Sequence, residues 1–184
     1  MRILIIASPR TGSSELASRL GRYLSLNVYQ EPFNIRKGVK GYDLEDNAVV
    51  KCIVHQLPGI ENLPNHLISS KKEIVDYWKE YLKNFDKTIL LNRKIIKEQV
   101  ESWHFFLSAR IREQQENNKT RYSNKQYIYS KQTLSDFKED KKYILWCNQM
   151  IKRLSYETEI PITYYEDLFK TDGRRYRRFN EKIL

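Results

Sequence analysis

Apolar side chains along this chain follow two rhythms. Short, mainly apolar runs at 3–7, 26–29, 49–54, 88–91 and 162–165 predict strands. Between them, apolar residues recur every third or fourth position and predict helices over 14–24, 72–83, 94 to about 116, and 134–156. Leu16, Leu20 and Leu24 share one face of the first helix, and Ile74, Trp78 and Leu82 one face of the second. Residues 31–47 and 57–70 read as loops, and 117–131 as a polar, tyrosine-bearing segment. There is no internal repeat or low-complexity tract. Strands separated by helices need crossover connections, so the expected fold is α/β: a three-layer sandwich with a mainly parallel central sheet covered on both faces. Such sheets bind ligands at the carboxyl ends of their strands.

The first strand end is the most informative. Ser8-Pro9-Arg10-Thr11-Gly12-Ser13-Ser14 is a loop of small residues leading into a helix N-terminus, which aims backbone N–H groups and a helix dipole at an anion. A nucleotide-triphosphate P-loop reads G-x-x-x-x-G-K-[ST]. Here Ala7 stands at the first glycine, Gly12 and Ser14 fit, and Ser13 replaces the lysine. Arg10 places a cation inside the loop instead, which suits a phosphate group without a metal or a γ-phosphate. A helix cap alone would account for Ser13 or Ser14 but not for Arg10 and Gly12 together.

Three further strand ends carry candidate chemistry. Glu31 precedes Pro32, whose ring favours extended geometry at Glu31; in a basic pocket it is a candidate general base. His55 follows the third strand and is the other candidate for proton transfer, or a phosphate ligand. Lys51 lies within that strand, where a charge is costly unless paired. After the fourth strand, Arg93 and Lys94 lead into a helix bearing Gln99 and Ser102; a cation there with the Ser102 hydroxyl could grip a second phosphate. His66 and His104 have no partner at metal-ligand spacing, so no metal is expected.

With 184 residues, one domain is expected, ending in a short basic tail at about 170–184. The net charge of +10 favours an anionic partner, although Lys37, Lys40, Lys71, Lys72, Lys141 and Lys142 read as ordinary soluble surface. No aromatic-basic motif points to specific nucleic-acid binding. Cys52 and Cys147 sit in apolar patterns and read as buried reduced thiols, which fits a cytoplasmic protein. No signal peptide is expected, and no apolar stretch nears the roughly 20 residues of a membrane span.

Four of these segments, in this order, resemble the sulfotransferases that use 3′-phosphoadenosine 5′-phosphosulfate (PAPS). Residues 8–14 look like their 5′-phosphosulfate loop in the form common in carbohydrate-type members. Glu31-Pro32-Phe33 is similar to the Glu-Pro segment after their second strand. Leu91-Asn92-Arg93-Lys94 with Ser102 resembles their 3′-phosphate motif, and Tyr164-Tyr165-Glu166-Asp167-Leu168 their late Tyr-Glu-Asp-Leu segment. The resemblance covers about residues 2–168 and implies a P-loop NTPase-like sulfotransferase fold. It also implies sulfuryl transfer from PAPS, without a metal, to a hydroxyl or amine of an acceptor, with carbohydrate one candidate.

On this resemblance Ser8, Arg10, Thr11, Gly12, Ser13 and Ser14 would cradle the 5′-phosphosulfate, with Arg10 stabilising the leaving phosphate. Arg93 and Ser102 would hold the 3′-phosphate, and Glu31, or else His55, would take the acceptor's proton. The Arg…Ser spacing is one residue longer than usual in the family, leaving Arg93 and Lys94 as alternatives. Family members also commonly continue past Tyr-Glu-Asp-Leu, so either an arginine of 174–178 supplies a closing contact or that stretch is a solvated tail. The rival readings are a P-loop-like kinase and a nucleotide-binding protein without transfer activity.

Overall fold

A computed structural model describes residues 1–33, 45–57, 71–118, 137–170 and 178–179. The middle of the first long loop, most of the second with His66, the polar segment from 119 on, and most of the basic tail lie outside the described residues. Contacts divide the chain into two compact units: residues 1–94 with 147–184, and residues 95–146.

The first unit is built on a parallel sheet. Its strands are β1 (Arg2–Ala7), β2 (Asn27–Gln30), β3 (Ala48–Ile53), β4 (Lys87–Asn92) and β5 (Ile162–Tyr164). They lie in the order β2-β3-β1-β4-β5, and every neighbouring pair is parallel. The expected mainly parallel α/β sheet is therefore present, with no antiparallel strand in it. Hydrophobicity sorts the strands. β3 is buried at all six positions and β1 at five of six, whereas edge strand β2 exposes Asn27, Val28 and Gln30. Continuous apolar runs belong in the middle of a parallel sheet, where both faces are covered.

Alternation along each strand feeds two cores. Ile3, Ile5 and Ala7 join Val49, Ile53 and Leu91 beneath Leu16, Ala17 and Leu20 of helix α1 (Ser13–Leu24). Leu4, Ile6, Val50, Cys52 and Leu90 point to the other face and are equally buried. Each buried Val, Leu or Ile among them contributes roughly 1.5–3 kcal/mol. Helix α2 (Lys71–Leu82) is anchored at the end of β3 by Trp78, whose indole N–H donates to the Val54 carbonyl at 2.7 Å.

The second unit contains helix α3 (Ile96–Asn118) and the first part of helix α4 (Phe137–Thr158). After β5, a single turn α5 (Tyr165–Leu168) replaces the expected last strand residue Tyr165. Strands β6 (Phe169–Lys170) and β7 (Arg178–Phe179) then pair antiparallel.

The strand order has one consequence for function. β1 is flanked by β3 on one side and β4 on the other, so the connections around it diverge. A crevice opens at the carboxyl end of a strand so placed. Ser8, Val54 and Arg93 all lie just past these three strand ends.

Candidate functional site

The loop from β1 to α1 is fixed from within and from both neighbouring strands. The Ser8 N–H donates to the Leu91 carbonyl at 3.2 Å, and the Val54 N–H donates to the Ala7 carbonyl at 3.0 Å. The Thr11 hydroxyl turns back to donate to the Ser8 carbonyl at 2.8 Å. Ser8, Thr11 and Ser13 are buried, which leaves Arg10 and Ser14 as the exposed side chains among them.

Two residues of this loop have left-handed backbone, Arg10 at φ +59° and Gly12 at φ +71°. For arginine that conformation costs roughly 1–2 kcal/mol, and such strain gathers at binding sites. Gly12 is also the N-cap of α1, accepting the Leu16 N–H at 3.0 Å. Neither Ser13 nor Ser14 caps the helix, because both lie inside it, and no side chain makes a cap hydrogen bond there. The first turn thus presents its backbone N–H groups at the mouth of the loop, where they can receive an anion.

Gly12 is needed for a second reason. A Cβ on it would lie 2.5 Å from a ring carbon of Tyr165 and 3.3 Å from one of Phe169. These two rings pack together with centroids 4.9 Å apart. The turn after β5 therefore presses directly on the loop after β1.

That same turn organises the cations after β4. The Arg93 guanidinium lies 4.9 Å from the centre of the Tyr165 ring, and its Nε is 3.4 Å from Glu166 Oε1. Glu166 Oε2 accepts the Lys94 backbone N–H at 2.9 Å. Lys94 itself pairs with Asp167 and sits over the Tyr164 ring, and the hydrogen bond to Asp167 raises its ammonium pKa. Arg93 and Lys94, alternatives in the sequence, thus occupy different surroundings. Arg93 is 9% exposed and Lys94 50%.

Arg93 acts on the loop. The Arg10 pKa is lowered first by desolvation of its guanidinium, although the residue as a whole is exposed, and then by the positive charge of Arg93. Two like charges brought within electrostatic reach of each other repel, and an anion between them would relieve that repulsion.

Glu31 occupies a different corner. It too has left-handed backbone, at φ +53°, rather than the extended geometry expected before Pro32. Three contacts hold it there. Its N–H donates to the Lys51 carbonyl at 2.7 Å, extending the β2–β3 ladder, and its carboxylate accepts from Lys51 Nζ at 2.5 Å and from Gln56 Nε2 at 3.2 Å. Phe33, two residues on, packs edge-to-face on Tyr81. Lys51, 3% exposed, is therefore the buried charge that Glu31 neutralises, a pairing that sequence spacing alone did not reveal. His55 is half-buried just beyond the end of β3. Burial also pushes the Cys52 thiol pKa up, so it is inert as a nucleophile at neutral pH.

Ser102 lies in the other unit, on α3. Nearby, Asp140 of α4 joins two α3 side chains: Trp103 Nε1 donates to one carboxylate oxygen at 3.1 Å, and His104 Nδ1 meets the other at 2.8 Å. His104 thus has a carboxylate partner, which lies 36 positions away in sequence. Among the described residues, no three His, Cys, Asp or Glu side chains gather as a metal ion would require, and no helix is long and apolar enough to cross a membrane.

Comparison with known proteins adds little to this geometry. No protein-family model matches the chain, and no curated protein matches it. Among solved structures, it is similar to the YorR protein of Bacillus subtilis, crystallised in complex with phosphorylated GDP. The two share 11% identity at a TM-score of 0.36, over 89% of this chain and 82% of YorR.

Proposed function

We propose that the loop after β1 binds the phosphate end of a nucleotide, and that the nucleotide is PAPS, used to sulfate an acceptor hydroxyl or amine. What carries this reading is Arg10, held in a left-handed loop beside a helix N-terminus that no side chain caps, with the positive charge of Arg93 reaching it. The absence of the P-loop lysine, with Arg10 in the loop instead, favours a donor other than a metal-bound triphosphate. The residues present fit such a ligand. The first turn of α1 carries no side-chain cap, and the two cations suit a nucleotide that carries anionic groups at both its 5′ and 3′ positions.

PAPS would supply an activated sulfuryl group and a phosphate leaving group. The chain's own part is then to bind, orient and neutralise charge, as in phosphoryl transfer. Ser8, Thr11, Gly12, Ser13 and Ser14 form the cradle, and Arg10 faces the leaving phosphate. Arg93 is the better candidate than Lys94 for the second anionic group, because its side chain is the more buried of the two and its charge reaches Arg10 in the loop. Ser102 is assigned to that group by resemblance alone. Glu31 serves as proton acceptor only if it gives up part of its pairing with Lys51 and Gln56, which brings His55 forward as the alternative base. A single sulfotransferase-like domain acting on a carbohydrate in the cytoplasm remains part of this proposal.

The test is calorimetric titration with adenosine 3′,5′-bisphosphate. Binding is expected, weakened about 10-fold or more by Arg10→Ala and by Arg93→Ala, the usual scale for losing a hydrogen bond to a charged group. Lys94→Ala should change it little. No binding at millimolar nucleotide would sink the sulfotransferase reading, and binding of Mg-ATP in its place would favour a kinase.

A further inference from the structure

The geometry points to His104 as a proton-accepting site of the second unit: Asp140 and Trp103 fix its tautomer, so that Nε2 offers its lone pair to a hydroxyl-bearing ligand. The inference concerns residues 95–146 alone and does not depend on the reading of the loop after β1.

Asp140 is a buried carboxylate, 8% exposed. Among the described residues its side-chain partners are Trp103 and His104 of α3, with no lysine or arginine beside them. The cations close to it in sequence go elsewhere: Lys142 pairs with Glu139 at 2.6 Å, and on α3 Lys97 faces Glu101 at 3.9 Å. Burying a carboxylate without a cation is costly. An amide at position 140 would join the same two helices at less cost, accepting from Trp103 with its oxygen and donating to His104 with its nitrogen. What the carboxylate adds is a fixed place for the imidazole proton.

A carboxylate only accepts, and an indole N–H only donates. Trp103 Nε1 donates to Oδ1 at 3.1 Å, and Oδ2 faces His104 Nδ1 at 2.8 Å. The neutral ring therefore carries its proton on Nδ1 and its lone pair on Nε2. The His104 side chain is 30% exposed, and among the described residues Nε2 has no hydrogen-bond partner. Aromatic neighbours hold the pair in place. Phe137 meets the imidazole edge-to-face with centroids 5.2 Å apart, and Trp103 packs on Tyr143 of α4 at 5.2 Å. A carboxylate behind an oriented imidazole stabilises the imidazolium that forms when Nε2 takes a proton. Phe137, 42% exposed, sets an apolar ring beside that nitrogen, so the ligand expected is a hydroxyl on an apolar carbon skeleton.

Asp140→Asn separates a proton acceptor from a mere tie between helices. The amide keeps both hydrogen bonds, but it donates to Nδ1 and so moves the ring proton to Nε2. The probe is diethyl pyrocarbonate, applied to the whole chain at about pH 8, where an imidazole is neutral. An imidazole lone pair attacks its carbonyl carbon, a C–N bond forms, ethyl carbonate leaves as carbon dioxide and ethanol, and the ring's other proton is lost to solvent. Modification is read at His104 by peptide mass mapping, the tautomer by ¹⁵N NMR of the imidazole, and folding by melting temperature.

Wild type should show the Nδ1–H tautomer at His104. Asp140→Asn should show Nε2–H and react about 10-fold more slowly there, as expected of the wrong tautomer, with little change in melting temperature. Cyclohexanol, a hydroxyl on an apolar ring, should protect His104 of the wild type from the reagent about 3-fold. An Nε2–H tautomer in the wild type overturns the inference even if the variant fails to fold. Equal modification rates in the two proteins, or no protection by cyclohexanol, overturn it as well. Absence of adenosine 3′,5′-bisphosphate binding would end the PAPS reading and leave this inference standing.

Discussion

Gly12 carries two constraints that can be measured apart. Its left-handed backbone would cost an alanine roughly 1–2 kcal/mol, and the Tyr165 ring leaves no room for a Cβ. Gly12→Ala should therefore lose about 2–4 kcal/mol in urea unfolding. Adding Tyr165→Leu should return the steric share and leave the backbone share. Lys51 poses a different problem at the same scale. Breaking a buried ion pair by removing one partner costs about 3–5 kcal/mol, and Glu31, at 22% exposure, recovers some of that through water. Lys51→Met should thus cost about 2–3 kcal/mol by denaturant titration. Adding Glu31→Gln should restore most of it. A double variant no more stable than Lys51→Met alone would show that the pair is not coupled.

At the scale of elements, the strands were the legible part of the sequence. Ile3–Ala7 is apolar without interruption, and Val49–Val54 at every position but Lys51, because both faces of a central parallel strand are covered, and that pattern survives without knowledge of the neighbours. What crosses between elements was not legible. Lys51 and Glu31 stand 20 positions apart and meet only through the β2–β3 register. The serines at 13 and 14 suggest a cap, yet the cap is Gly12, since the loop's left-handed turns start the helix earlier than an Ncap serine would. Arg93 and Lys94 are neighbours in sequence, and only the acidic turn after β5 separates their roles.

The link from α2 to α4 gives a pH prediction. Glu157 accepts from Arg153 on its own helix and from Lys79 on α2, and these cations, Arg153 first, hold its carboxyl pKa below the usual value. A carboxylate whose folded pKa is depressed stabilises the fold above its unfolded pKa and loses that contribution as pH falls through the folded value. Urea midpoints should therefore drop as wild-type protein is taken below about pH 5. The drop should be shallower in Glu157→Gln, and identical acid limbs would refute the assignment.

Across the whole molecule, the candidate site draws on widely separated parts of the chain: the loop near residue 10, the strand end at Arg93 and the turn at Tyr165. Local patterns exposed the first two. The third was visible in the sequence only as a short acidic motif, and its contact with Gly12 spans about 150 positions. Contacts of that range close late, because the loop entropy must be met before they form.

The Tyr165–Gly12 contact therefore also sets a time. A chain made from its N-terminus displays the loop well before the ring that packs on Gly12, which lies about 150 residues further along. Strands β1 to β4 can assemble before then, with Arg93 still without its aromatic platform and its Glu166 partner. Anion binding would thus mark a finished product: nascent or truncated chains would carry the motif without the grip, and a ligand would stabilise only those molecules whose last sheet strand and following turn are in place.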